Sequence, residues 1–283
     1  MNRNTLLATV NGVATMAGAL LMSLMLPLTA VSAADGDEAY TPTVLVTGSN
    51  RGLGLEFAKQ YTALGWNVIA TARSPDKAED LNALADANTN LTVERLDVTN
   101  FEQIDALAEK YKDQPIDVLL NNAGISGSPS PKQLFGKVDY EQFDAFMHVN
   151  VRGPLRISEV FLPNLRAGKH KRMVTVSSLG GSFAVRDSMP PGTMLYRTSK
   201  SALNMIMVNV AAAVRKHDIT VVLLNPGLVD TQGVLTEMNE KMNLGLNLVP
   251  IEDSIAGMIN VIDTVAFVNS GTIYQWTGKI LEF

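Results

Sequence analysis

From residue 43 onward, short apolar runs alternate with longer stretches of helical periodicity, and no other property limits the fold as strongly. Strands are expected at 43–47, 67–71, 91–96, 116–120, 173–176, 219–224 and 272–275. Helices are expected at 53–64, 75–87, 101–112, 140–165 with a break near Asn150, and 194–216. The runs are apolar throughout rather than on alternate residues, so the sheet is buried on both faces and its strands run parallel. The expected architecture is α/β, a doubly wound parallel sheet of about seven strands in one domain.

The chain has 283 residues, of which 46% are hydrophobic and 18% charged, the balance of a globular protein with a sizeable core. A formal net charge of −5 argues against nucleic acid as a partner. With no cysteine, disulfides, thiolate catalysis and cysteine-ligated metals are excluded. His148, His170 and His217 lie far apart in sequence and match no metal-ligand spacing, so no metal is expected.

Residues 1–34 read as a separate leader. Arg3 precedes a mostly apolar run from Leu6 to Ala30, interrupted by Asn11, and Val31-Ser32-Ala33 fits a small-x-small cleavage pattern. This describes a secretory signal peptide, or an uncleaved membrane anchor, since roughly 25 apolar residues are enough to span a bilayer. The basic flank before the run and Asp35, Asp37 and Glu38 after it place the folded part outside the cytoplasm. Translation starting at Met22 or Met25 is the competing reading, and it favours the cytoplasm. Residues 35–42 are then a linker and 43–283 the folded domain.

Two local patterns carry chemistry. The first strand ends in Thr47-Gly48-Ser49-Asn50-Arg51-Gly52-Leu53-Gly54, a glycine-rich turn opening a helix. Gly48 permits a tight turn, Gly52 lets the backbone approach a pyrophosphate, and Gly54 lets the helix pack on the sheet. The free N–H groups of the helix start then face the phosphates. The second pattern is Tyr196 and Lys200 at the head of a long helix. Their i, i+4 spacing sets the Cβ atoms about 5–6 Å apart. A cation so placed is expected to lower the phenol pKa from about 10, fitting it to move a proton near neutral pH. Tyr-x-x-x-Lys by itself is commonest as two solvated side chains on a surface helix.

These motifs, in this order, resemble the classical short-chain dehydrogenase/reductase family. Asn121-Asn122-Ala123-Gly124 follows the fourth strand, Asn150 sits in His148-Val149-Asn150-Val151, and Ser177-Ser178 ends the fifth strand. Tyr196 and Lys200 come next, then Pro226-Gly227, Val229 and Thr231 after the sixth. Tyr196 to Asn204 and the closing Ser270-Gly271-Thr272 are similar to the C-factor-like carbonyl reductase branch. The resemblance implies a Rossmann-type fold, with Asn150, Ser178, Tyr196 and Lys200 as the catalytic set. In it Tyr196 exchanges the proton, Ser178 holds the substrate oxygen, and Lys200 lowers the Tyr196 pKa and bonds the nicotinamide ribose. Asn150 would hold a water linking Lys200 to solvent. The same resemblance assigns cofactor contacts to Gly48, Asn50, Arg51, Gly52, Leu53, Gly54, Asp97, Val98, Asn122, Ala123 and Gly124, and to the segment from Pro226 to Thr231. Asn121 reads as structural, tying neighbouring strands, and Asp97 reads equally as a helix cap.

Members that bind NAD(H) usually carry an acid at the end of the second strand. Here the chain reads Ala70-Thr71-Ala72-Arg73-Ser74, with no acid before Asp76. Arg73, flanked by Arg51, is placed to pair with a 2′-phosphate, so NADP(H) is expected over NAD(H). The implied function is NADPH-dependent reduction of an aldehyde, ketone or quinone, with a non-catalytic or signalling dinucleotide binder as the alternative. Residues 186–192 read as an insertion forming one wall of the pocket. Met238, Met242, Leu244, Leu246 and Leu248 suit either a lid over a small hydrophobic carbonyl substrate or a helix packed on the core. The resemblance also implies a homodimer through the two long helices, with Met205, Met207, Val208 and Val210 as interface or core. NADPH is scarce outside a bacterial cytoplasm, so the leader and the cofactor point to opposite compartments.

Overall fold

The computed structural model describes residues 40–125, 129–185, 191–243 and 245–282. The leader assignment and most of the expected insertion, 186–190, therefore lie outside the described residues, as does Leu244. Strands and helices alternate as β1 Thr43–Val46, α1 Gly52–Ala63, β2 Asn67–Ala72, α2 Glu79–Ala87, β3 Leu91–Arg95, α3 Phe101–Lys110 and β4 Val118–Asn121. They continue as α4 Tyr140–Met147, α5 Gly153–Val160, α6 Leu162–Ala167, β5 Arg172–Val176, α7 Met194–Val214, β6 Thr220–Asn225, α8 Val234–Met242, α9 Ile251–Thr264 and β7 Thr272–Gln275.

The seven strands form one sheet in the order β3-β2-β1-β4-β5-β6-β7, and every neighbouring pair is parallel. Successive side chains enter opposite cores, as the two-residue strand period dictates. Val44 and Val46 join α1, α2 and α9 on one face, while Leu45 joins α3, α5 and α7 on the other. Each leucine or isoleucine fully buried in this way contributes about 1.5–3 kcal/mol. Strand order reverses between β1 and β4, the crevice where doubly wound sheets bind ligands.

The expected long helix at 140–165 is divided. A π-helical turn, His148–Arg152, interrupts it at Asn150, and further breaks separate α5 from α6. Helix α9 was not expected, although Ile255, Met258, Ile259 and Ile262 are buried at helical spacing. On helix α8, Met242 is 63% exposed, and Leu246 and Leu248 beyond it are half-buried. Met207 is fully buried and belongs to the core, whereas Met205 and Val208 are exposed on the same helix. Among the described residues, no helix is long and apolar enough to cross a membrane.

Candidate active site

The residues singled out in the sequence converge on the carboxyl edge of the sheet. The glycine turn leaves β1 and Arg73 leaves β2. Asp97 follows β3, Asn122 follows β4, Ser178 follows β5 and Pro226 follows β6. Thr47 and Asn122 brace this crevice across the reversal point. The Thr47 hydroxyl accepts the N–H groups of Asn122 and Ala123 at 3.0 Å each. The Asn122 amide in turn donates to the carbonyls of Thr47 at 2.9 Å and Gly48 at 3.1 Å.

The turn is shaped for a close backbone approach. Gly48 has φ +71°, and a Cβ there would lie 2.9 Å from the Ala123 Cα. A Cβ on Gly54 would lie 2.1 Å from the Gly48 carbonyl oxygen. Thr231 closes on the same turn, its Cβ 3.1 Å from where a Gly52 Cβ would sit. Arg51, the residue before α1, makes no side-chain capping bond, and no acid lies in the first turn. The first-turn N–H groups and the positive end of the helix dipole are thus left for an anion. This is the cradle a dinucleotide pyrophosphate fits. Asn50 and Arg51 are exposed, Leu53 is half-buried, and so is Val229 beyond β6.

Arg51 and Arg73 are exposed, and neither guanidinium has an ion pair among the described residues. The first acid after β2, Asp76, is held by Arg95 at 2.7 Å. Asp97 turns back on its own loop, accepting from the Thr99 N–H and hydroxyl, while Asn100 caps α3. Asp97 is therefore not the helix cap. Val98 is buried beside Gly153. Asn121 bonds Ser158 on α5 at 3.1 Å rather than a neighbouring strand.

The candidate reacting groups lie beside this cradle. Ser177 points into the core and bonds Asn204, which leaves Ser178 as the serine facing the crevice. The Ser178 oxygen accepts the Gly180 N–H at 3.0 Å, so its proton remains free to be donated. Burial raises the Tyr196 phenol pKa, and a hydrogen bond with Ser178 partly offsets the rise. The expected depression by Lys200 is thus not present. The Lys200 Nζ sits 5.9 Å from the Tyr196 ring centre and donates to the Val176 carbonyl at 2.8 Å. Burial pushes Lys200 itself down to about 8, weakening it as a source of positive charge.

Asn150 is buried in the π turn, where its amide bonds both the Ile125 backbone and the Ser199 hydroxyl. A Cβ on Gly124 would be 3.2 Å from Asn150 Oδ1 and 3.8 Å from Lys200 Nζ, so the three converge. Gln133 was missed by the sequence reading. Thr193, which precedes α7, makes no side-chain capping bond, and the Gln133 carbonyl oxygen accepts the Tyr196 N–H at 3.0 Å instead. Gln133 is 2% exposed, and its loop is docked by the Ser130 N–H on the Gly192 carbonyl at 2.9 Å. No local pattern marks it, because its partner is distant in sequence. Among the described residues, no group of three or more His, Asp or Glu could hold a metal.

A glycine turn at the reversal point of a doubly wound sheet, flanked by a serine, a tyrosine and a buried lysine, is the arrangement of an α/β oxidoreductase. The sequence matches the short chain dehydrogenase family over residues 42–243, and the chain belongs to that family. It is 32% identical over 253 residues to the short chain dehydrogenase gsfK of Penicillium aethiopicum, covering 85% of this chain and 96% of that one. The C-signal of Myxococcus xanthus is 36% identical over 164 residues, covering 58% of this chain and 90% of the relative. An NADPH-bound carbonyl reductase from chicken fatty liver superposes with a TM-score of 0.75 at 30% identity, over 86% of this chain and 99% of the other.

Proposed function

We propose that the protein is an NADPH-dependent reductase of small hydrophobic carbonyl compounds, with Asn150, Ser178, Tyr196 and Lys200 as its reacting set. The observation that carries this reading is the Tyr196 phenol, hydrogen-bonded to Ser178 beside the buried Lys200. When bound, NADPH supplies the hydride. Negative charge then develops on the carbonyl oxygen, which the Ser178 hydroxyl stabilises and the Tyr196 phenol protonates. Lys200, held on the Val176 carbonyl, would bond the nicotinamide ribose, and Asn150 fixes the loop after β4 against α7. The glycine turn, Asn122 and Thr231 would hold the pyrophosphate region, and Arg73 with Arg51 the 2′-phosphate, a charge-assisted pair with no competing acid. The NADPH bound by the chicken liver reductase supports the same choice. Exposed α8 fits the lid reading. A homodimer through α7, using Met205 and Val208, and a leader that exports or anchors the chain belong to the same proposal.

The test is NADPH oxidation with a panel of aldehydes, ketones and quinones, beside Tyr196→Phe. A loss of about 10²-fold or more in the variant is expected. Equal rates in both proteins would overturn the reading. NADPH binding with no turnover would favour the second reading, a dinucleotide binder without catalysis, for which the C-signal likeness is the supporting observation. Replacing Arg73 with Ala is expected to raise the KM for NADPH about tenfold or more while leaving that for NADH nearly unchanged. An equal rise for both cofactors would reject the 2′-phosphate role.

A further inference from the structure

The net charge of −5 conceals a basic face at the opposite edge of the sheet. Strands β5 and β6 are adjacent and in register from Arg172 and Thr220, so the turns preceding them lie side by side at the amino edge. One turn carries Lys169, His170 and Lys171 ahead of Arg172, and the other Arg215, Lys216 and His217. Arg166, Lys169, Arg215 and Lys216 are exposed, while Lys171 and Arg172 are half-buried. None of these six has an ion pair among the described residues, although Arg172 donates to the Thr220 hydroxyl, Lys169 lies over the Tyr40 ring and Arg215 over the Phe267 ring.

Asp117, Asp263 and Asp218 offset part of the charge, and six cations against three acids leave the face with a formal excess of positive charge. Asp117 is fully buried and consumed by the N–H groups of Thr43, Lys169 and His170 and by the Tyr40 hydroxyl. Asp263 is exposed and faces His170 and Arg172, so it offsets one of these charges. Asp218 is the remaining acid of these turns. His217 reports the resulting field: burial and then Arg166 and Lys216 lower its pKa, with Asp218 opposing and Lys171 adding to the fall.

We propose that this face, formed by Arg166, Lys169, Lys171, Arg172, Arg215 and Lys216, docks the protein on an anionic phospholipid surface. A cluster of unpaired cations is attracted to acidic headgroups by a long-range field that salt screens. The choice of lipid over another polyanion rests on where the chain enters the domain. Tyr40 lies under the Lys169 ammonium, 3.9 Å from its ring centre, and bonds Asp117 at 2.7 Å. The sequence before Tyr40 carries Asp35, Asp37 and Glu38 and, ahead of them, the apolar run of residues 6–30. Nucleic acid has no second feature of this kind in its favour. The carboxyl edge, with Ser178, Tyr196 and Lys200, would then face away from the lipid.

Co-sedimentation of the full chain with two kinds of vesicle tests this without any enzyme assay. One is phosphatidylcholine alone, and the other contains about 30 mol % phosphatidylglycerol. An apolar segment binds both alike, whereas the basic face favours the second. A preference of about tenfold or more for the acidic vesicles is expected, lost near 0.5 M salt. Arg166→Glu combined with Lys171→Glu and Lys216→Glu should abolish the preference and raise the His217 pKa in a proton NMR titration. Should that variant fail to fold, Lys216→Glu alone, at an exposed position, should weaken the preference measurably. Equal binding of the wild type to both vesicles overturns the proposal, as does an unchanged preference in a folded variant. Tighter binding to duplex DNA than to acidic vesicles at equal charge concentration also overturns it.

Discussion

The two edges of this sheet treat a buried charge in opposite ways. At the amino edge, burial works against the Asp117 carboxylate, but bonds from Thr43, His170, Tyr40 and Lys169 outweigh it and hold the pKa below the ordinary value. At the carboxyl edge, Lys200 donates to a single carbonyl among the described residues, and burial moves its pKa down to about 8. The first arrangement spends its polar contacts on joining β1, β4 and the turn before β5. The second leaves a charge under-compensated beside a phenol, which costs stability. The difference separates a buried charge that holds the fold from one that strains it.

The largest effect that tests this contrast is catalytic. Tyr196→Phe should lower turnover about 10²–10⁴-fold while leaving the melting temperature within a degree or two. A large fall in stability would place Tyr196 with the structural residues instead. Next comes Asp117→Ala, which strips an acceptor from three N–H groups and the Tyr40 hydroxyl. The expected cost is about 3–5 kcal/mol, or roughly 10 °C in thermal unfolding. Because the Asp117 pKa is lowered on folding, its contribution is present at neutral pH and lost as pH falls through the folded-state value.

Lys200 has the opposite sign. Its folded pKa of about 8 lies below the unfolded value, so the unfolded chain binds more protons between the two. The penalty of burying it is complete below pH 8 and fades as pH rises toward the ordinary lysine value of about 10.4. Lys200→Met should therefore stabilise the protein by up to about 3 kcal/mol at pH 7, with the gain vanishing near pH 10.5. Denaturant unfolding across that range measures it, and a gain independent of pH would reject the assignment. The smallest effect is expected from Gln133→Leu, which orphans the Tyr196 N–H at a cost of about 1–3 kcal/mol. Gln133→Met, which matches the side-chain length but also lacks the acceptor, should lose about as much.

Much of this was readable in the sequence, for physical reasons that differ by element. The apolar strands could be placed because a sheet buried on both faces leaves no polar interruption in them. The break near Asn150 was visible and proved to be a π turn. Ser178 was distinguishable from Ser177 by position, and the reason is now plain, since Ser177 is consumed by Asn204. The Tyr196 pKa was misjudged because i, i+4 spacing fixes proximity but says nothing of burial. Gln133 was invisible because a cap supplied from a distant loop leaves no local signature. Met207 was ambiguous between interface and core for the same reason, as helical periodicity does not say what lies opposite.

The brace between Thr47 and Asn122 has a consequence for how the crevice receives a ligand. Its four hydrogen bonds run in both directions, so neither strand end can move without breaking several at once. A loop locked in this way has already lost its conformational entropy during folding. The ordering cost that usually reduces the affinity of a flexible phosphate-binding loop is thus absent at the moment of association.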